Sequence, residues 1–210
     1  VLALLADSVT TDEETVIRLM ATPDLAGTST MFDTDAQYPM PPVISTVSLL
    51  GNDDDIDTDD DANTIHIVGL DAINSLTTTS AFGAIIKLEL RANRIETSLV
   101  YNPRASAYLN GLAVGETAYD TFPYTVQDRH GALAVGQVTI LVTGVNDLPN
   151  PGPDPVATIT ITTDEDTPLA ITLGAFDADG DSLTYQVSSP AFGTLGGTPP
   201  DLSYSPDLTY

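Results

Sequence analysis

Along much of the chain, apolar and polar residues alternate with a period of two, the spacing that puts successive side chains on opposite faces of a β-strand. Tyr119 to Val126 alternates in this way, Gln137 to Val142 is apolar and β-branched, and Ala157 to Thr162 reads Ala-Thr-Ile-Thr-Ile-Thr. Asp-rich or Gly-rich turns separate such runs at intervals of roughly 8–12 residues, as in a β-sandwich with Greek-key connections. Only Ala105 to Leu112 has the look of a short helix. The predicted fold class is all-β.

Self-comparison exposes an internal repeat. Thr10-Thr11-Asp12-Glu13-Glu14-Thr15 returns as Thr162-Thr163-Asp164-Glu165-Asp166-Thr167. In the same order, Val47-Ser48-Leu49 with Asp53-Asp54-Asp55 matches Ile171-Thr172-Leu173 with Asp177-Ala178-Asp179. Ser80 to Ile85 then matches Pro190 to Leu195, and Tyr101-Asn102-Pro103 matches Tyr204-Ser205-Pro206. On these anchors the first copy carries roughly 28 extra residues, at about Arg18 to Thr46, including all three methionines, Met20, Met31 and Met40. The cluster Pro39-Met40-Pro41-Pro42 argues against one long helix there and for an excursion loop or hairpin. An alternative reading makes its Met residues and Phe32 a partner-binding surface.

Four prolines in Asn146 to Pro155 read as a short, stiff linker. The domains expected are 1–147 with the insertion, a Pro-rich linker at 148–156, and a partial second sandwich at 157–210. In the second copy, strands are expected at Ile159–Thr162, Leu169–Leu173, Leu183–Val187 and Leu202–Tyr204. Tyr210 matches about Ala107 of the first copy, so counterparts of Tyr119 to Val142 are not in the sequence and the second sandwich is expected to be incomplete.

Thirty Asp and Glu against six Lys and Arg give a net charge of −24 among 210 residues. Such a balance argues against nucleic-acid binding and against anionic membrane surfaces, both of which need clustered basic residues. Because 42% of residues are hydrophobic and only 17% charged, the chain has material for a packed core despite its acidity. The absence of cysteine rules out disulfides, thiolate catalysis and Cys-ligated zinc. The longest clean apolar run, Val1 to Ala6, is too short to span a bilayer, so no direct membrane insertion is expected. Without an initiator Met, the chain reads as an internal or processed piece of something longer.

The chemistry the residues support is calcium binding. Ca²⁺ takes six to eight hard oxygens, and closely spaced Asp residues bring together carboxylates that otherwise repel. Gly51 to Asp61 packs seven Asp into eleven residues. An EF-hand is excluded: counted from Asp177, position six is Ser182 and position twelve Ser188, and counted from Asp57 they are Ala62 and Val68. His66 and His130 are isolated, and no nucleophile elbow, zinc-protease signature, phosphate loop or dinucleotide fingerprint is present. The chain is read as non-catalytic.

Asp12-Glu13-Glu14, Gly115-Glu116-Thr117, Phe122 to Asp128, His130-Gly131 and the closing Val142-Thr143-Gly144-Val145-Asn146-Asp147 resemble a VCBS-type repeat. The second copy, with Asp164 to Leu169, Asp177-Ala178-Asp179-Gly180-Asp181 and Gly193-Thr194-Leu195, resembles the related bacterial cadherin-like tandem repeat. The resemblance implies tandem immunoglobulin-like (cadherin-like) sandwiches from a large surface or secreted protein, often an adhesin or biofilm protein, with calcium stiffening the modules. It further implies Glu13, Asn146, Asp147, Asp177 and Asp179 as ligands at one junction, and Asp53, Asp55 and Asp128 as ligands facing a preceding linker. Gly144 and Leu148 depart from the pattern, standing where a full cadherin linker has acidic or amide ligands.

The expected function is a non-catalytic, calcium-stiffened structural or adhesive module, extracellular or at the cell surface, whose partners are neighbouring repeats of the same chain. The alternative is a filament-forming subunit whose incomplete sandwich is completed by strands of a neighbouring chain. Self-assembly or a cell-surface or glycan ligand is the further partner expected beside the neighbouring repeats. A carbohydrate-binding module would need an exposed aromatic platform, which a chain with no Trp and 6% aromatics poorly supplies.

Overall fold

The computed structural model describes residues 2–3, 7–21, 43–51, 54–55, 64–90, 97–151 and 160–208. The chain divides into two compact units, Val1–Asn146 and Asp147–Tyr210.

Unit 1 is built on two sheets. The first runs in the order β2 (Asp7–Asp12), β11 (Leu133–Thr143), β10 (Thr117–Gln127) and β6 (His66–Gly69). The second runs β4 (Val43–Ser48), β3 (Ile17–Met20), β9 (Ser98–Asn102), β8 (Ile85–Glu89) and β7 (Thr77–Thr79). A short separate ladder joins β1 (Leu2–Ala3) to β5 (Asp54–Asp55). Strand β2 runs parallel to β11, while β10 is antiparallel to both β11 and β6. With β3, β9 and β8 as the opposing antiparallel sheet, this is the strand arrangement of an immunoglobulin-like sandwich.

Alternation decides which side chains meet. Phe122, Tyr124 and Val126 of β10 and Val138, Ile140 and Val142 of β11 are fully buried, against Ile17, Leu19, Ile86, Leu99 and Tyr101 of the other sheet. Each such side chain stabilises the sandwich by roughly 1.5–3 kcal/mol. Two polar links stiffen the interior. The Tyr101 hydroxyl donates to Asp120 Oδ2 at 2.7 Å, and Asp120 Oδ1 accepts the backbone N–H groups of Phe82 and Thr121, so a fully buried carboxylate is satisfied. Arg18 donates to Glu89 and, at 2.8 Å, to Ser98 Oγ, tying three strands of one sheet. In place of the short helix expected at 105–112 there are two 3₁₀ turns, Pro103–Ala105 and Leu109–Gly111, joined through Ser106.

The hydrogen-bond ladders relocate the insertion. Strand β12 (Leu169–Thr172) pairs with β14 (Asp201–Ser205) as β3 pairs with β9: Leu169 faces Tyr204 as Ile17 faces Tyr101, and Ile171 faces Leu202 as Leu19 faces Leu99. The counterpart of Ile171 is therefore Leu19 and not Val47. The extra segment leaves after Ala21, where sequence matching began it at Arg18, and returns as β4, an added edge strand parallel to β3. Val47-Ser48-Leu49 and the β3 segment are both short apolar runs, and only the ladder partners distinguish them. Met20 is a core residue of β3. Met31, Phe32, Met40 and Pro39 to Pro42 lie outside the described residues.

Among the described residues, unit 2 holds one antiparallel sheet in the order β12, β14 and β13 (Thr194–Thr198). This repeats the order β3, β9, β8 of unit 1. Leu195 pairs with Tyr204 as Ile86 pairs with Tyr101, one residue beyond the match of Leu195 with Ile85 read from sequence. Residues 160–162 and 183–187, expected as strands, lie outside regular ladders. Part of the expected linker is fastened to unit 2: Asn150 and Phe176 exchange backbone hydrogen bonds of 2.7 and 3.0 Å. Residues 152–159 lie outside the described residues.

Candidate metal centre

The repeated acidic hexapeptide makes the same turn twice. In unit 1, Thr11 Oγ1 donates to the Thr15 carbonyl at 3.2 Å and Thr15 N–H to the Asp12 carbonyl at 3.3 Å. In unit 2, Thr163 Oγ1 donates to the Thr167 carbonyl at 2.8 Å and Thr167 N–H to the Asp164 carbonyl at 3.2 Å. The threonine at the second position closes the loop with its own hydroxyl, a local bond that Ser and Thr offer in turns. In unit 1 this turn aims Glu13 inward: it is fully buried, and its Oε1 accepts the N–H of Val145.

The second acidic element is the turn Asp177 to Asp181 of unit 2. Asp177 Oδ1 accepts the N–H groups of Asp179 at 3.1 Å and Asp181 at 3.2 Å, while Gly180 N–H donates to the Asp177 carbonyl. Gly180 sits at φ +77°, a left-handed conformation that glycine takes without strain. Asp179 Oδ2 accepts the N–H of Asp147 at 2.7 Å, drawing Asp147 to the same turn. One carboxylate oxygen from each of Asp177, Asp179 and Asp181 lies within 4.8 Å of the others.

These residues fit calcium. Two oxygens bound to one Ca²⁺ at 2.3–2.6 Å stand at most about 5 Å apart, which the triad satisfies. Asp179 Oδ1 is buried with no hydrogen-bond partner, an acceptor whose desolvation is not offset within the protein. Residues 147–210 contain ten Asp and Glu and no Lys, Arg or His, so no cationic side chain of that unit neutralises the turn. At 4.8 Å, each pair of carboxylates repels by ~1 kcal/mol even at the dielectric constant of water.

The remaining expected ligands are placed differently. Asp147, Asp177 and Asp179 come together in unit 2, whereas Glu13 is anchored to Val145 within unit 1, where Asn146 is exposed. Asp128 serves its own hairpin turn, its Oδ1 accepting the N–H groups of His130 and Ala132 at 2.8 Å each. Asp55 belongs to the short strand β5, paired with Leu2, and Asp53 lies outside the described residues. Asp181 was not among the expected ligands, although the Asp-x-Asp-x-Asp spacing from Asp177 carried the signal. Gly144 departs from the cadherin pattern for a steric reason: a Cβ there would stand 2.2 Å from the Leu112 carbonyl oxygen and 2.3 Å from that of Ala113.

Residues 146–210 match the family model described as a bacterial Ig domain. No curated protein and no solved structure matches the chain. The family match covers residues 146–210 alone; with the strand order of unit 1, it fits an all-β, immunoglobulin-like sandwich fold. Among the described residues, no helix is long and apolar enough to cross a membrane.

Proposed function

We propose that the chain is a non-catalytic, extracellular or cell-surface repeat segment whose immunoglobulin-like modules act as structural or adhesive spacers, and that calcium rigidifies it at the turn Asp177 to Asp181. The observation that carries the calcium reading is the convergence of one carboxylate oxygen from each of Asp177, Asp179 and Asp181 within 4.8 Å, on a turn where Asp179 Oδ1 is buried without a hydrogen-bond partner. When bound, calcium would supply charge neutralisation and a fixed geometry for the turn; Asp177, Asp179 and Asp181 would hold it, with Asp147 beside them. The acidic surface suits a crowded array, since a net charge of −24 keeps neighbouring copies apart.

Ligands that assemble only in the folded state add binding free energy to folding. At free calcium 100-fold above Kd, the gain is about 2.7 kcal/mol. The melting temperature of the chain is therefore expected to be higher in calcium than in chelator, with the difference abolished by Asp177→Ala combined with Asp179→Ala. Superimposable melting curves in calcium and in chelator would remove the metal from this account and leave the spacer role standing.

A further inference from the structure

Unit 1 turns two sheet faces away from its core, and they differ in charge. On the sheet of β2, β11 and β10 the inward positions fill the core, so the alternate ones, starting from Ser8, Leu133 and Thr117, look outward. Among these described outward positions only Asp12 is charged, at the end of β2 beside Thr143. The opposite sheet carries Arg18, Lys87 and Glu89 at its outward positions on β3 and β8. The uncharged face is apolar at both ends. Tyr119, 67% exposed, pairs with Leu141 at one end, while Leu133 and Val135, 49% and 68% exposed, stand at the other. Thr121, Thr139 and Gln137 lie between them.

We propose that this face docks a second copy of the chain, sheet on sheet, as a weak symmetric pair. Depletion of charge around an exposed Tyr is the composition of an interface centre. Charge also selects the occupant: a net charge of −24 holds copies apart elsewhere, and a like-charged copy approaches at least cost where uncharged side chains meet uncharged side chains. Symmetry selects it further. A two-fold axis lying between the faces and crossing the strands midway sets Tyr119 and Leu141 of each copy on Leu133 and Val135 of the other, and lays the hydroxyl and amide centre on itself. Strands β10 and β11, with β2 alongside, offer about 400–500 Å² per copy at ordinary strand rise and spacing. A pair then buries about 800–1,000 Å², the size of weak, reversible contacts. The proposal does not depend on calcium.

The test is sedimentation of the intact 210-residue chain in chelator, up to 500 μM, at 50 and 500 mM NaCl. A reversible dimer is expected, and it should tighten with salt, because screening removes the repulsion between two acidic molecules while the uncharged contact stays. Tyr119→Lys combined with Val135→Lys should weaken it at least tenfold, and Tyr119→Lys combined with Val135→Glu should dimerise at least tenfold more tightly than that Lys pair, since the axis then sets Lys against Glu. Both positions are exposed, so these variants are expected to fold, and unchanged melting temperatures check it. Ile85→Lys, at an exposed outward position of the opposite sheet, should leave the dimer as it was. A monomer at every concentration and salt overturns the proposal, as does a dimer indifferent to the changes at Tyr119 and Val135 or broken by Ile85→Lys. So does a monomer whose Tyr119 is shielded from a water-soluble tyrosine reagent, because another segment of the same chain would then cover the face.

Discussion

Gly136→Ala is expected to destabilise unit 1 severely, although it adds one methyl group. Gly136 occupies an inward position of β11, directly across from Tyr124 on β10. A Cβ built there stands 2.4 Å from Tyr124 Cζ and 2.7 Å from its Cε1 and Oη. Ordinary carbon–carbon contact needs roughly 3.5–4.0 Å, so the ring must retreat by about 1 Å. The ring has nowhere to go. It is fully buried, and its hydroxyl donates to Asp7 Oδ2 at 3.0 Å and lies 3.3 Å from the Leu49 carbonyl. Overpacking of this kind costs about 1–3 kcal/mol, and drawing the hydroxyl away from the buried Asp7 adds about 1–3 kcal/mol more. The sum, about 2–6 kcal/mol, is a large part of the 5–15 kcal/mol that typically holds a domain folded. At 2–4 °C per kcal/mol for a chain of this size, melting followed by near-ultraviolet dichroism should shift down by roughly 5–20 °C. Gly115→Ala is the control, because Gly115 at φ +88° has no atom within 4 Å of its Cβ position and reports backbone strain alone. A Gly136→Ala melt within 1–2 °C of the parent would show that the Tyr124 ring is not confined as described.

Two further outcomes follow from the same packing. Gly144→Asp, which would restore an acidic residue at the departure from the cadherin pattern, should fail to add a calcium ligand. It should instead destabilise unit 1 by about 1–3 kcal/mol or more through the clash with the Leu112 and Ala113 carbonyls; a gain in calcium affinity without loss of stability would contradict this. Burial and the neighbouring Asp120 carboxylate push the Tyr101 phenol far above its ordinary value near 10. In alkali the unfolded chain therefore releases this proton while the folded one keeps it. The contribution is whole below pH 10 and is lost as pH rises beyond it, at about 1.4 kcal/mol per pH unit. Urea melts from pH 9 to 11 should show this slope, and Tyr101→Phe should remove it; an unchanged slope in the variant would place the effect elsewhere.

How much of this was legible in the sequence depended on whether a signal was local. The all-β class and the core positions of β10 and β11 were legible because alternation and burial coincide there: Phe122, Tyr124, Val138 and Ile140 face inward as the pattern demands. The acidic hexapeptide was legible as a repeat. Its structural purpose, the threonine hydroxyl closing its own turn, appears only in the bonds of Thr11 and Thr163. The insertion was misplaced because strand identity is fixed by ladder partners, and β4 lies beside β3 with a similar apolar pattern. In the candidate site, the nearness of Asp147 to Asp177 and Asp179 was an expectation of the resemblance, while Asp128 stands in a separate hairpin turn, where its Oδ1 accepts two backbone N–H groups as Asp177 Oδ1 does in its own turn.

The two copies of the hexapeptide also separate two explanations for a repeated acidic motif. If ion binding alone fixed its conformation, the turn would need charge to close; yet both turns close through a neutral threonine hydroxyl and one backbone hydrogen bond. The acids are then free to differ in what they do. In unit 1 the turn delivers Glu13 to the interior, where it receives the Val145 N–H and secures the strand end after β11. In unit 2 its counterpart Glu165 is exposed, and the buried acceptor is instead Asp179 Oδ1, on a different turn. A motif shared in sequence thus reports a shared backbone turn. Any metal chemistry must be argued separately, from the turn where, among the described residues, three carboxylate oxygens converge.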